Sequence, residues 1–524
     1  MKKAHIILTF ALAVPVILFL LQHYYFHSPD LSPTGFTVDE NVLYMSYARQ
    51  YLDQPGTQLF YSNPFDGNPQ SPEIYFQPVT LLFSAAMKAG ADPGLTFSLF
   101  GLIMALLCIY TGILVLQTLS GNERNYKWIA LLFTWGGGLT AAAGLATWLF
   151  FPEHTWYTGL NAIHTADPAN GWWGLNWGRN LFLPLEAYYH FLFLLNVYFV
   201  LKQRWMAAAG TAIFLALSHP FTGIEYLLIM NGWLLIEKLL LKNTKIPRWF
   251  WGAILLITIF HLSYYLIYLN NFPEHRQLFA QYSASWTYSL WVVIPAYSLF
   301  FLLSLFAGKQ NKIHPVLSAP QQRLFLCWAV ISFLLSKHEW FITPRQPLHF
   351  TRGYTWTGLF LFSLPVLRFL FYSWRHRYRV LVLSVLTLLL LNDNILWTIN
   401  LLRKKEKTEW EGHLSQPTRE MLQYLSANSS PADLLIGNAT LVNYLANVYS
   451  PANAWISHPY NTPDIPNRQL LMDQFLAEGR MPEEWKGRKV LLIIDRNAEK
   501  PAAILPALKK NILFENTRYQ VFTP

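Results

Sequence analysis

The chain has 524 residues, 53% of them hydrophobic and only 13% charged, with a mean hydropathy of +0.24 and a formal net charge of +10. Soluble domains carry about a quarter charged residues, so this composition excludes an ordinary soluble enzyme, a disordered chain and a nucleic-acid binder of the usual kind. The two cysteines, Cys108 and Cys327, both lie in apolar stretches and exclude a disulfide framework or a cysteine-built metal cluster.

Met1-Lys2-Lys3 precedes an apolar run from Ile6 to Leu21 with no small-x-small cleavage site after it, which reads as an uncleaved first span with the N-terminus inside. Ten more spans are predicted near 95–119, 128–150, 187–201, 205–219, 221–240, 249–269, 288–307, 322–337, 355–372 and 380–402. Several approach the roughly 20 residues that cross a bilayer as a helix, whereas those at 187 and 205 are short. His219-Pro220 reads as either a kink within one helix or a turn between two. Residues 1–402 are thus expected to form a polytopic α-helical membrane module of about 11 transmembrane helices, with outer-loop helices at about 38–53 and 73–89. Sixteen Lys and Arg fall in loops on the N-terminal side, against seven on the opposite side before residue 403. That asymmetry directs the long loops outward. Residues 403–524 change to soluble composition: short apolar runs at Asp433–Gly437 and Lys489–Asp495 alternate with helical patterns, predicting an extracytoplasmic α/β domain.

In the first outer loop, Leu43/Tyr44, Tyr47/Ala48 and Tyr51/Leu52 recur at helical spacing and predict an amphipathic helix lying along the membrane surface. Thr37 and Glu40 have capping-box spacing. Asp39 beside them is read either as part of a structural helix start or, with Glu40, as a catalytic acid pair.

The form Asp39-Glu40-x-x-x-Tyr44-x-x-x-Ala48-Arg49 after a first span, followed by Pro72-Glu73-Ile74-Tyr75-Phe76-Gln77-Pro78, resembles the GT-C superfamily of integral-membrane glycosyltransferases. The resemblance is closest to the branch of protein O-mannosyltransferases and aminoarabinose transferases, although the consecutive prolines usual there are interrupted here. It implies an inverting transfer of a sugar from a polyprenyl-phosphate donor to a glycan, lipid or protein acceptor at the outer face of a bacterial cytoplasmic membrane. It also implies that Asp39 is the general base toward the acceptor hydroxyl. Some relatives hold a divalent cation on an acidic loop motif; a second Asp-x-Asp is lacking here, which leaves a metal undecided.

The last outer loop, Lys337 to Arg352, sets Lys337, Arg345 and Arg352 with His349 against Glu339, on the side where the charge rule disfavours Lys and Arg. Arginine forks hold phosphate oxygens, so Arg345 and Arg352 are predicted donor ligands with Arg276 as a helper; the competing reading is contact with lipid headgroups. The aromatic loop containing Trp173 reads as an interfacial anchor or a sugar-stacking surface, and Tyr44 and His219 complete the predicted substrate contacts. Glu225, also near a span end, is a weaker candidate. Ser457–Asp464 reads as a binding loop or a proline- and asparagine-rich turn. The rival functions are a transporter or lipid flippase, whose duplicated halves are not evident here, and a noncatalytic relative used in assembly.

Overall fold

A computed structural model describes residues 2–38, 42–53, 59–68, 70–120, 126–140, 142–143, 149–150, 176–281, 287–288, 290–309, 319–373, 376–403, 407–498 and 511–524. The chain divides into two compact units. Met1–Phe19, Phe100–Ser263 and Ala284–Lys404 form the first; Leu20–Leu99, Tyr264–Ser283 and Lys405–Pro524 form the second.

The first unit is helical. Each expected span contains a described helix, and five are long and apolar enough to cross a membrane: Lys3–Tyr25, Pro93–Ser120, Pro184–Leu201, Arg248–Asn271 and Val380–Ile399. Their outward faces carry large exposed apolar side chains such as Ile7, Leu256 and Leu388, as lipid-facing helices do.

The expected span 128–150 is not one continuous helix. Its first part, Tyr126–Trp135, stops at Gly136-Gly137-Gly138, residues that favour a helix poorly. The helix Pro320–Ser336 lies against Tyr354–Ser373, and His376–Arg403 supplies the groups that satisfy the broken end. Asp393 Oδ2 accepts the Gly138 N–H at 3.1 Å, and Asn394 Nδ2 donates to the carbonyls of Trp135 and Gly136 at 2.9 and 3.0 Å. Arg179 donates through Nε to Asn394 Oδ1 at 2.8 Å, so a buried polar knot replaces the missing helical ladder.

His219-Pro220 divides two helices, Trp205–Ser218 and Pro220–Leu235. His219 is extended, Pro220 occupies the first helical turn where its missing N–H costs nothing, and His219 Nδ1 accepts the Thr222 N–H at 3.1 Å.

In the second unit, β1 (Leu31–Pro33) pairs antiparallel with β2 (His413–Ser415). A five-stranded mixed sheet holds β3 (Leu434–Gly437), β4 (Asn453–Ala454), β5 (Val490–Asp495), β6 (Asn511–Glu515) and β7 (Tyr519–Thr523) in the order β4-β3-β5-β7-β6. β3 runs parallel to β4 and β5, and β5 is buried along its whole length, which explains its unbroken apolar run. Gly437 (φ +126) ends β3 where any Cβ would lie 2.0 Å from the Ile493 carbonyl oxygen. That glycine serves sheet packing. Trp455, Met472, Phe475 and Trp485 cover the sheet with Leu434, Ile436, Leu492 and Phe522.

The amphipathic helix of the first loop is α1 (Val42–Asp53), and its apolar face packs on protein. Val42, Met45 and Ala48 are fully buried, against α2 (Pro78–Lys88) and α3 (Thr440–Tyr449). The buried stripe Val42, Met45 and Ala48 thus finds part of its partner in residues far along the chain, while Leu43, Tyr44, Tyr47 and Leu52 of the predicted stripe are half-buried.

Ser457–Asp464 is organised around its own histidine. His458 is buried, and its Nδ1 accepts the N–H groups of Tyr460 and Asn461, both at 3.1 Å. Burial pushes its pKa down to about 4. The unfolded chain therefore takes up the proton first as pH falls. Stability from this group is complete above about pH 6.5 and lost progressively toward pH 4, a loss of roughly 3 kcal/mol. Melting temperature should fall over that window, and His458→Asn, whose side-chain oxygen accepts the same N–H groups without titrating, should flatten the profile. An unchanged acid slope in the variant would assign the sensitivity to another group.

Candidate functional site

The first unit gathers three of the sequence-predicted residues in one buried cluster. Arg352 is 6% exposed and donates through Nη1 to Glu186 Oε1 and through Nη2 to His349 Nδ1. A guanidinium can only donate, so His349 Nδ1 is an acceptor and the ring is neutral with its proton on Nε2. Burial and the adjacent Arg352 charge both push its pKa well below the usual histidine range. The His349 ring stacks on Phe221 at 4.6 Å and 7°, and its centroid is 5.9 Å from that of His219.

Local backbone explains the placement. Pro347–Phe350 forms a single 3₁₀ turn that carries His349, and Arg352 follows just beyond its end, where its Nη2 reaches His349 Nδ1. Arg352 has φ +20 and Gly353 φ +73. At Gly353 a Cβ would lie 2.5 Å from the Trp177 backbone, so only glycine fits. A positive φ on arginine costs about 1–3 kcal/mol and persists where surrounding structure fixes it, commonly at binding sites.

Acids and rings complete the cluster. Glu186 Oε2, both Glu225 oxygens, both His190 ring nitrogens and the Tyr354 hydroxyl are buried with no hydrogen bond of good geometry among the described residues. The Ser332 hydroxyl lies beside Glu225, and His190 meets the Tyr354 ring edge at 4.5 Å. Buried polar groups gathered around one arginine thus form a polar cluster inside an apolar bundle. Glu186 lies 166 residues from Arg352, and nothing local in the sequence ties the two together.

The other predicted residues fall elsewhere. Arg345 is exposed, with its backbone N–H donating to His338 Nε2 at 2.8 Å. Arg276 belongs to the second unit, is exposed, and donates to the Asn270 carbonyl at 3.1 Å. Tyr44, also in the second unit, is half-buried on α1 and meets the Tyr47 ring edge at 6.1 Å. Asp39, Glu40 and Trp173 lie outside the described residues. Among the described residues there is no group of three or more His, Cys, Asp and Glu that could hold a metal ion.

No protein-family model matches the chain, and no curated protein matches it. Among solved structures it is similar to the Archaeoglobus fulgidus oligosaccharyltransferase tethered to an acceptor peptide containing the NVT sequon, with a TM-score of 0.53 at 11% identity over 94% of this chain and 69% of that one. The apo form of that protein gives a TM-score of 0.47 at 11% identity (94% and 70% covered). Oligosaccharyltransferase AglB of the same organism, in complex with an inhibitory peptide and a dolichol-phosphate, gives 0.47 at 10% (94% and 69%). These neighbours are GT-C superfamily membrane glycosyltransferases. At such identity the likeness is one of fold, and the expected GT-C-like architecture is borne out at that level.

Proposed function

We propose that the chain is an inverting glycosyltransferase of the GT-C type, moving a sugar from a polyprenyl-phosphate donor to an acceptor at the outer face of the membrane. The observation that carries this reading is the buried Arg352 cluster within a fold shared with a known membrane glycosyltransferase. Arg352 would grip the donor phosphate, with His349 donating from Nε2 and the exposed Arg345 and Arg276 helping to attract the anion. Asp39 would take the proton of the acceptor hydroxyl as that oxygen bonds to the anomeric carbon. The bond from the anomeric carbon to the phosphate oxygen then breaks, and polyprenyl phosphate leaves with both electrons. Eleven crossings, with the second unit's C-terminal sheet outside, complete the proposed topology.

The test is direct. Purified full-length protein in lipid nanodiscs, given radiolabelled polyprenyl-phosphate sugars and cell-envelope acceptors, should release polyprenyl phosphate in step with label transfer. Saturable donor binding without transfer to any acceptor would favour the noncatalytic alternative. Donor carried across a sealed bilayer without chemistry would favour the flippase.

A further inference from the structure

The second unit carries an aromatic cleft that the donor chemistry does not use. It is lined by the rings of Tyr47, Tyr61, Tyr75, His275, Phe279 and Tyr460 and has a volume of about 180 Å³. Its floor is rigid: Tyr47 stacks on Tyr61 at 4.9 Å and 28°, and Tyr61 and Tyr75 exchange backbone hydrogen bonds of 2.9 and 3.1 Å. The Tyr75 hydroxyl bonds His275 Nδ1 at 3.2 Å, and His275 lies nearly parallel to Phe279. Phe279 and Tyr460, which also line the cleft, are 42% and 44% exposed.

We infer that this cleft binds a neutral pyranose ring, belonging to a carbohydrate acceptor. Among the described residues no Asp, Glu, Lys or Arg lines it. Its imidazole is held toward the neutral form by burial, so a phosphate finds no counter-charge on the lining side chains described. Tyrosine rings present an apolar face and a hydroxyl edge, which matches a sugar with C–H bonds on one face and hydroxyls around its rim. Two amides add polar edges: Asn63 and Asn461 line the cleft, and Asn63 is held by donating to the Asn461 carbonyl at 2.8 Å. An extended peptide fits less well, because the backbone groups of Tyr61 and Tyr75 are spent on each other and leave no edge there for strand addition. A platform already fixed in place loses little freedom on binding.

As an acceptor site the cleft rests on the transfer reading, whereas its affinity for sugars does not, so the test uses no donor. Full-length protein in nanodiscs would be mixed with methyl α-mannoside, methyl β-glucoside, N-acetylglucosamine and maltose, and saturation transfer to sugar protons recorded by NMR. At least one sugar should bind, with transfer strongest to C–H groups of a single ring face. Phe279→Ala and Tyr460→Ala, both at exposed positions, should each weaken it about tenfold with the melting temperature unchanged. Failure of all four sugars to bind, sugar binding equal in wild type and both variants, or binding of a Gly-Tyr-Gly peptide in place of sugars would overturn the inference. Sugar binding in a protein that shows no transfer would sustain the cleft and remove the catalytic reading.

Discussion

Arg352→Gln is expected to abolish donor binding and to cost about 3–5 kcal/mol of stability, because it leaves the Glu186 carboxylate buried without its counter-charge. The second effect can be separated from the first. Arg352→Gln combined with Glu186→Gln removes both charges of the pair, a change that is often neutral or stabilising in a buried site. The double variant should therefore melt near the wild-type temperature while still failing to bind a polyprenyl-phosphate sugar. Thermal melting in detergent and donor titration check the two halves independently. Donor affinity recovered in the double variant would mean that Arg352 serves the fold alone.

Asp39→Asn should leave expression, melting and donor affinity intact while lowering transfer by about 10² to 10⁴, the usual worth of general-base assistance. Glu40→Gln should be milder, since glutamine also serves the capping box that the Thr37–Glu40 spacing predicts, and loss of a cap costs only about 0.5–2 kcal/mol. Initial rates at saturating donor and acceptor distinguish the two. A fully active Asp39→Asn protein would remove the base from the proposed mechanism and shift weight to the transporter or noncatalytic reading.

The helices were legible because lipid imposes a length and an apolar composition on every crossing, and those are local properties of sequence. The break after Trp135 was less so: the glycine run signals it, but only the side chains of Asp393 and Asn394, more than 250 residues on, make it sustainable. At the site, Arg352 was visible with His349 in an outer loop that breaks the charge asymmetry, and His219 as an ionisable residue near a span end. That the three meet was not, because Glu186 and the stacking face of Phe221 come from other helices. The tyrosine cleft had a partial signal in the spacing of Tyr44, Tyr47 and Tyr51 along α1. Those rings read as an interfacial stripe, whereas Tyr61 packs on Tyr47 and Tyr51 and in turn meets Tyr75.

The pairing of β1 with β2 has a consequence for how the protein is made. Leu31 faces Ser415 across that ladder, and Arg419 donates to the carbonyls of Ser32 and Pro33. The partners of β1 are thus synthesised nearly 400 residues after it, an interval of roughly 20 to 80 s at about 5–20 residues per second. Throughout membrane insertion the first loop waits with an unpaired strand, and the ladder closes only when His413–Ser415 arrive. A nascent chain stalled before His413 would expose that strand to proteases and chaperones, making synthesis of β2 the event that pairs it.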